Sequence, residues 1–376
     1  MRTTRFLSLP IHSILNSPQQ TGMGFWSINP YVGCEFGCSY CYARYAHRYV
    51  VERVEARGHR GTEAQAHGEV QACGRASVPT CEITDGQTDR GRDARTYGER
   101  NQAGGAIWSA EEFERRIFVK REAADVLALT LRPSRLGGHA IAIGTATDPY
   151  QPAERRYRVT RAILERLAQY HGLRVGIVTK SPLVSRDIDV LKRLSERGEV
   201  TVNISLITLD VALIRKLEPR SPMPAVRLRA LEKLARAGIH AGVMIAPVLP
   251  GITDDLPHLL ALLRAAKQAG AAFAHVVPLR LYPGVRPQFL PVVAREFPEL
   301  LPRYQRAFDA RGEVKSEYVA ALRRRAGRLK REVGYVEAEG TEGTESTGAQ
   351  GHSHTETRRR WRAEAAPRAV QEELAL

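Results

Sequence analysis

Apolar, β-branched runs recur along the chain at Trp26–Val32, Ala140–Thr147, Val175–Thr179, Val200–Leu206, Ala241–Val248 and Ala272–Leu279. Short continuous runs of this kind fit strands buried on both faces. Between most of them, apolar residues return every three or four positions, at Arg161–Tyr170, Ile188–Arg197, Val226–Ala237 and Leu256–Ala269. That spacing gathers them on one face of a helix. Strands alternating with amphipathic helices predict an α/β fold, a parallel sheet covered by helices. Six such units fall short of the eight in a closed barrel, so an open partial (β/α)6 TIM-type barrel is expected. Two C-terminal helices, about 291–310 and 313–332, are expected to cap it.

Two stretches lack any hydrophobic period. Residues 54–105 are rich in Gly, Arg, Glu, Thr and Gln, with few Leu, Ile or Phe. They cannot bury enough apolar surface to offset the entropy of ordering, so a disordered insertion is expected. The tail, 336–376, is similarly low in complexity and expected to be disordered. The chain thus divides into an N-terminal segment with a cysteine loop (1–53), the insertion (54–105), the remaining barrel (106–290), basic C-terminal helices (291–335) and the tail (336–376).

Charge changes the picture by where it lies. The 376 residues carry a formal net charge of +15. Residues 51–105 hold eight Arg against nine acids, and residues 337–376 hold five Arg against eight Glu. The surplus therefore belongs entirely to the remaining body, with Arg323, Arg324, Arg325, Arg328, Lys330 and Arg331 crowded near its end. A body this basic favours a polyanion such as DNA or RNA. No apolar run is long enough to cross a membrane, and the N-terminus lacks the apolar core of a secretory signal. Five cysteines, three of them clustered, do not resemble a disulfide framework; a reducing, cytoplasmic setting is expected.

The cysteines carry the chemistry. Cys34, Cys38 and Cys41 form a C-x3-C-x2-C run. Structural zinc takes four protein ligands, and iron–sulfur clusters usually take four cysteines. The other two cysteines, Cys73 and Cys81, fall in the insertion, and His47 lies six residues past Cys41. The spacing leaves three readings: a cluster with one iron open to a non-protein ligand, a zinc site closed by His47, or ordinary reduced thiols.

The segment Asn29-Pro30-Tyr31-Val32-Gly33-Cys34-Glu35-Phe36-Gly37-Cys38-Ser39-Tyr40-Cys41-Tyr42-Ala43-Arg44 closely resembles the cluster loop of the radical SAM superfamily, in its branch similar to spore photoproduct lyase. Gly144 to Pro152, Thr179 to Pro182, Leu217 to Arg220 and Ala246 to Gly251 resemble further blocks of that branch. The resemblance implies a [4Fe–4S] cluster on the three cysteines, with S-adenosylmethionine (SAM) chelating the open iron and Tyr40 packing near its adenine. It also implies an electron from a flavodoxin- or ferredoxin-type donor, and a 5′-deoxyadenosyl radical that abstracts hydrogen from substrate. In spore photoproduct lyases a cysteine after the second strand donates hydrogen; this chain has Thr145, Ala146, Thr147 and Asp148 there. Repair of that particular lesion is therefore not implied.

In such barrels ligands bind where strands end. Thr145, Thr147 and Asp148 close the second strand and suit a sugar and an amine, or simply a turn opened by Asp148-Pro149. Lys180 ends the third strand, ahead of the helix start Ser181-Pro182, and suits the SAM carboxylate or a phosphate. Asn203 and Ser205 lie one pleat apart on the fourth strand and share a face; SAM hydroxyls or local partners would satisfy them. Arg220 suits a carboxylate or phosphate, or an ion pair with Glu218. The leading expectation is a lyase-like radical SAM enzyme acting on nucleic acid or a nucleotide. The alternatives are a peptide or small metabolite as substrate, or a metal-bearing nucleic-acid-binding protein without turnover.

Overall fold

A computed structural model describes residues 4–44, 47, 50, 110–282 and 284–336. The expected insertion, with Cys73 and Cys81, and all of the expected tail beyond Val336 lie outside the described residues.

All six expected strands form: β3 (Trp26–Ile28), β6 (Ile141–Ile143), β7 (Arg174–Thr179), β8 (Glu199–Ser205), β9 (Ala241–Val248) and β10 (Ala274–Pro278). They pair in parallel in the order β10-β9-β8-β7-β6-β3, and β2 (Leu15–Asn16) adds an antiparallel edge beside β3. The sheet does not close, so the architecture is the open partial (β/α)6 barrel. One face of each strand feeds the core: Val175 and Ile177, Val200, Val202 and Ile204, and Val243 and Ile245 pack with Leu191, Leu231, Leu262 and Leu263 from the helices. The helix Ile188–Arg197 matches its expected limits; Pro224–Arg236 and Leu256–Gln268 match to within two residues.

Three local expectations are corrected. The first apolar run breaks at Asn29-Pro30, and β4 (Tyr31–Val32) leaves it to join β1 (Arg5–Ser8) and β5 (Arg116–Val119) in a second sheet, ordered β1-β5-β4. Pro30 lacks the N–H that a continuing ladder would need. The helix expected over 291–310 is three pieces, Arg286–Glu296, the 3₁₀ turn Pro298–Leu300 and Leu301–Ala307; Pro298 denies Phe297 helical backbone. The last helix begins at Ser316 rather than 313 and ends at Glu332.

A second apolar cluster sets the position of the site. It joins Cys34, Phe36, Cys38 and Tyr40 to Leu249 and Leu279 at the strand ends, and to Phe289, Val293, Tyr304 and Phe308 of the C-terminal helices. The cysteine loop and the cap thus meet at the C-terminal mouth of the barrel. Among the described residues no helix is long and apolar enough to cross a membrane.

Candidate active site at the barrel mouth

The cysteine loop follows β4 and turns on two glycines. Gly33 and Gly37 have φ of 89° and 67°, a region that costs a side-chain-bearing residue energy. A Cβ on Gly37 would stand 2.5 Å from an Arg220 guanidinium nitrogen. That close approach matters, because Arg220 straps the loop: its Nε donates to the Glu35 carbonyl at 2.6 Å and its backbone N–H to that of Phe36 at 3.3 Å. The Arg220 guanidinium pairs with Glu114, not with Glu218, the partner nearest in sequence. Arg44 also pairs with Glu114, at 2.6 Å, and donates to the Cys38 carbonyl at 3.0 Å. The N–H groups of Cys34 and Ser39 reach the carbonyls of Phe113 and Leu217 at 3.0 and 2.9 Å.

The loop after β6 grips the same turn from the other side. Thr147, buried, donates to the Gly33 carbonyl at 2.7 Å, as does the Gln151 amide at 3.1 Å. The Gln151 carbonyl oxygen accepts from the Glu35 N–H at 3.0 Å. Thr145 meets Asn29, whose amide donates to its hydroxyl at 3.1 Å, while Tyr42 donates to the Thr145 carbonyl. Asp148 accepts from the Thr179 hydroxyl and the Lys180 N–H, both at 2.7 Å, and from the Tyr150 N–H at 2.9 Å. Thr147 and Asp148 therefore spend these groups on positioning the loop and the end of β7.

The lumen side differs. On β8, Val202 and Ile204 face the helices, so Asn203 and Ser205 face the lumen. The Asn203 amide nitrogen donates to the Ile177 carbonyl at 3.3 Å, but its Oδ1 is buried with no hydrogen-bond partner. Lys180 makes no ion pair among the described residues; its ammonium lies 5.8 Å from the Tyr40 ring centroid. Tyr40 is buried and donates to Glu218, which pairs with Arg227. Both of those charged side chains are 0 % exposed.

Charge at the mouth follows from this layout. Burial raises the Cys34 thiol, and raises that of Cys38 to about 12, with Lys180 and Arg227 opposing and Glu218 assisting. Burial alone would raise Glu218 too, yet Arg227 and then Lys180 hold it down at about 2. For Lys180, burial favours deprotonation, but Cys38 and Glu218 outweigh it and hold the ammonium. Thiols of this kind ionise against a metal centre, whose own charge reverses the local preference. Among the described residues no three His, Cys, Asp or Glu side chains converge as a single ion requires. Three thiols on one loop are the donor chemistry that an iron–sulfur cluster would take. His47 does not complete a zinc site with them: its Nε2 lies 2.8 Å from the Arg116 carbonyl, and burial lowers its pKa to about 4.

The chain matches the radical SAM superfamily over residues 103–263. Those residues carry a radical SAM domain, which marks the chain as an enzyme. The matched span does not include Cys34, Cys38 and Cys41. An uncharacterized protein of Mycobacterium tuberculosis is 29 % identical over 336 residues, covering 88 % of this chain and 82 % of its own. One of Methanocaldococcus jannaschii is 24 % identical over 227 residues, covering 60 % of this chain and 61 % of its own. Among solved structures, a spore photoproduct lyase variant with bound AdoMet and dinucleoside spore photoproduct superposes with a TM-score of 0.52, at 14 % identity, covering 82 % of this chain and 74 % of that one. A second variant, with the dinucleoside alone, gives 0.54 at 13 % identity over 88 % and 79 %. At such identity the likeness is one of fold, the partial TIM barrel.

Sequence reading missed Arg227, Gln151, Glu114 and Arg44 as parts of the mouth. Arg227 left a trace: it falls in helical register with the buried Ala230, Leu231 and Leu234, where a cation is out of place without a partner. The other three carry no pattern of their own, since their bonds across the mouth span 70 to 118 residues.

Proposed function

We propose that this enzyme cleaves SAM at a [4Fe–4S] cluster held by Cys34, Cys38 and Cys41 and acts on nucleic acid or a nucleotide. When bound, the cluster and SAM supply a 5′-deoxyadenosyl radical that removes a hydrogen atom from the substrate. The observation that carries the cofactor reading is the pairing of Lys180, a lumen cation without an ion-pair partner among the described residues, with the unsatisfied Asn203 Oδ1 on the next strand. A carboxylate would meet the ammonium, and a ribose hydroxyl would donate to the amide oxygen. Ser205 shares the Asn203 face, and Tyr40 walls the Lys180 ammonium from below. The apolar contacts of Phe36, Leu249, Leu279 and Phe289 keep this end dry, which protects a radical from solvent. An electron comes from a flavodoxin- or ferredoxin-type donor in the cytoplasm.

The substrate reading rests on the helix Ser316–Glu332. Its buried stripe is Leu322, Ala326 and Leu329, while Arg323, Arg324 and Arg328 are exposed around the other side. No acid lies on this helix between Glu317 and Glu332. Such a face matches a phosphate backbone. Anaerobic reconstitution with iron and sulfide, then dithionite and SAM, should release 5′-deoxyadenosine; absence of product above background overturns the cofactor reading. Binding to DNA or RNA should weaken steeply with salt, with a slope reduced by about one unit per Arg contact removed. Salt-independent or undetectable binding overturns the substrate reading.

A further inference from the structure

The mouth holds three charged side chains, of which Lys180 faces the lumen while Arg227 and Glu218 lie behind it. Arg227 and Glu218 are fully buried and richly bonded. Arg227 donates to the carbonyls of Pro222 and Ser205 at 2.8 and 2.9 Å, and to the Ser221 hydroxyl at 2.7 Å. Glu218 accepts from Arg227, from Tyr40 and from Ser221, the last at 2.7 Å. Tyr40 sits between Cys38 and Cys41, and Lys180 lies over its ring. The pair is thus bonded to the cluster loop on one side and to the end of β8 on the other.

A buried ion pair is a poor device for stability, since a packed apolar pair of the same volume does as well or better. Its place here is better explained by the charge it presents. Lys180, Arg227 and Glu218 all act on Cys38, and Asp148 acts on Cys34 and Lys180, so each buried charge here changes the field at the cysteines. A cluster held by three thiolates is an anion, and more so once reduced; net charge and burial are what set its potential.

We propose that Glu218 and Lys180, with Arg227, are positioning residues that set the reduction potential of the cluster and hold Tyr40 in register beneath SAM. This rests on the cofactor reading above. Removing the buried negative charge makes the mouth more positive and the cluster easier to reduce. Removing the buried positive charge does the reverse. A role confined to holding the fold together would not produce shifts of opposite sign.

The test is the midpoint potential of the reconstituted full-length protein without SAM, read by electron paramagnetic resonance during a dithionite titration. Glu218→Gln keeps the shape and most hydrogen bonds and should move the potential upward. Lys180→Met should move it downward. Glu218→Asp, which keeps the charge, should return it close to the wild-type value, and Glu296→Gln, a surface acid paired with Lys216, should leave it unchanged. Glu218→Gln should also weaken SAM binding in calorimetry, since Tyr40 loses its ionic anchor. If Glu218→Gln does not accumulate, Lys180→Met decides alone, because that side chain is only half-buried. Shifts of the same sign, or none, in variants that retain the cluster overturn this proposal and leave the cofactor reading intact. A wild-type protein that assembles no cluster overturns both.

Discussion

The barrel wall and its mouth are held together by different physics. Along the wall, Ile177, Val202, Val243, Leu231 and Leu262 are all 0 % exposed and belong to one continuous apolar core. Burial of this kind is non-directional, and many sequences of similar volume satisfy it. At the mouth, the carbonyls of Gly33, Glu35, Phe36 and Cys38 are each claimed by a particular donor: Thr147 and Gln151, Arg220 side chain, Arg220 backbone, and Arg44. The wall tolerates approximation, whereas the mouth depends on named partners. Damage to the wall should therefore cost stability, and damage to the mouth should cost the cofactor.

Variants can press on that distinction from either side. The largest effect belongs to the ligands. Replacing Cys34, Cys38 or Cys41 by Ala should reduce iron, sulfide and 5′-deoxyadenosine to background while the melting temperature stays near wild type. A melting temperature that collapsed with the cluster would mean the mouth is part of the structural core after all. Next comes the wall: Leu262→Ala should cost about 2–5 kcal/mol in denaturant unfolding, with the SAM affinity of the folded fraction unchanged.

Gln151→Leu should cost less, about 1–3 kcal/mol, because Thr147 still serves the Gly33 carbonyl. It should nonetheless lower iron retention more than Leu262→Ala does; the reverse ranking would remove the contrast between the regions. His47 gives a pH signature. Its folded pKa, about 4, lies below the ordinary 6.5, so the folded state favours the neutral ring. Its contribution is complete above pH 6.5 and is lost as pH falls toward 4, amounting to about 1–3 kcal/mol. His47→Gln should flatten that part of the stability profile. The smallest effect is expected at the Arg264–Glu332 pair, where both side chains are about half exposed; Arg264→Ala should stay within about 0.5 kcal/mol.

The same contrast explains what the amino-acid order disclosed. Alternation of apolar runs and helical stripes revealed β3 and β6 to β10 and the helices over them, because burial leaves a periodic trace. The cysteine run stood out by its spacing, while the spacing left open what it binds. The small sheet was not: β1, β4 and β5 have four, two and four residues and pair across more than 80 positions. Nor was the clamp at Glu218 legible in full. Its neighbour Arg220 offered a local partner, yet Arg227, nine residues on, makes the pair, since Arg220 is drawn outward to Glu35 and Glu114. Local reading favours the nearest opposite charge; tertiary geometry decides otherwise.

The antiparallel pairing of Tyr31 with Val119 and Val32 with Phe118, together with the Arg44–Glu114 bridge, staples the chain shut on either side of residues 51–109. The described residues on the two flanks are thereby held side by side. The cysteine loop is therefore seated by contacts on both of its flanks, so its place at the mouth is set by strand pairing and an ion pair that involve none of the three cysteines.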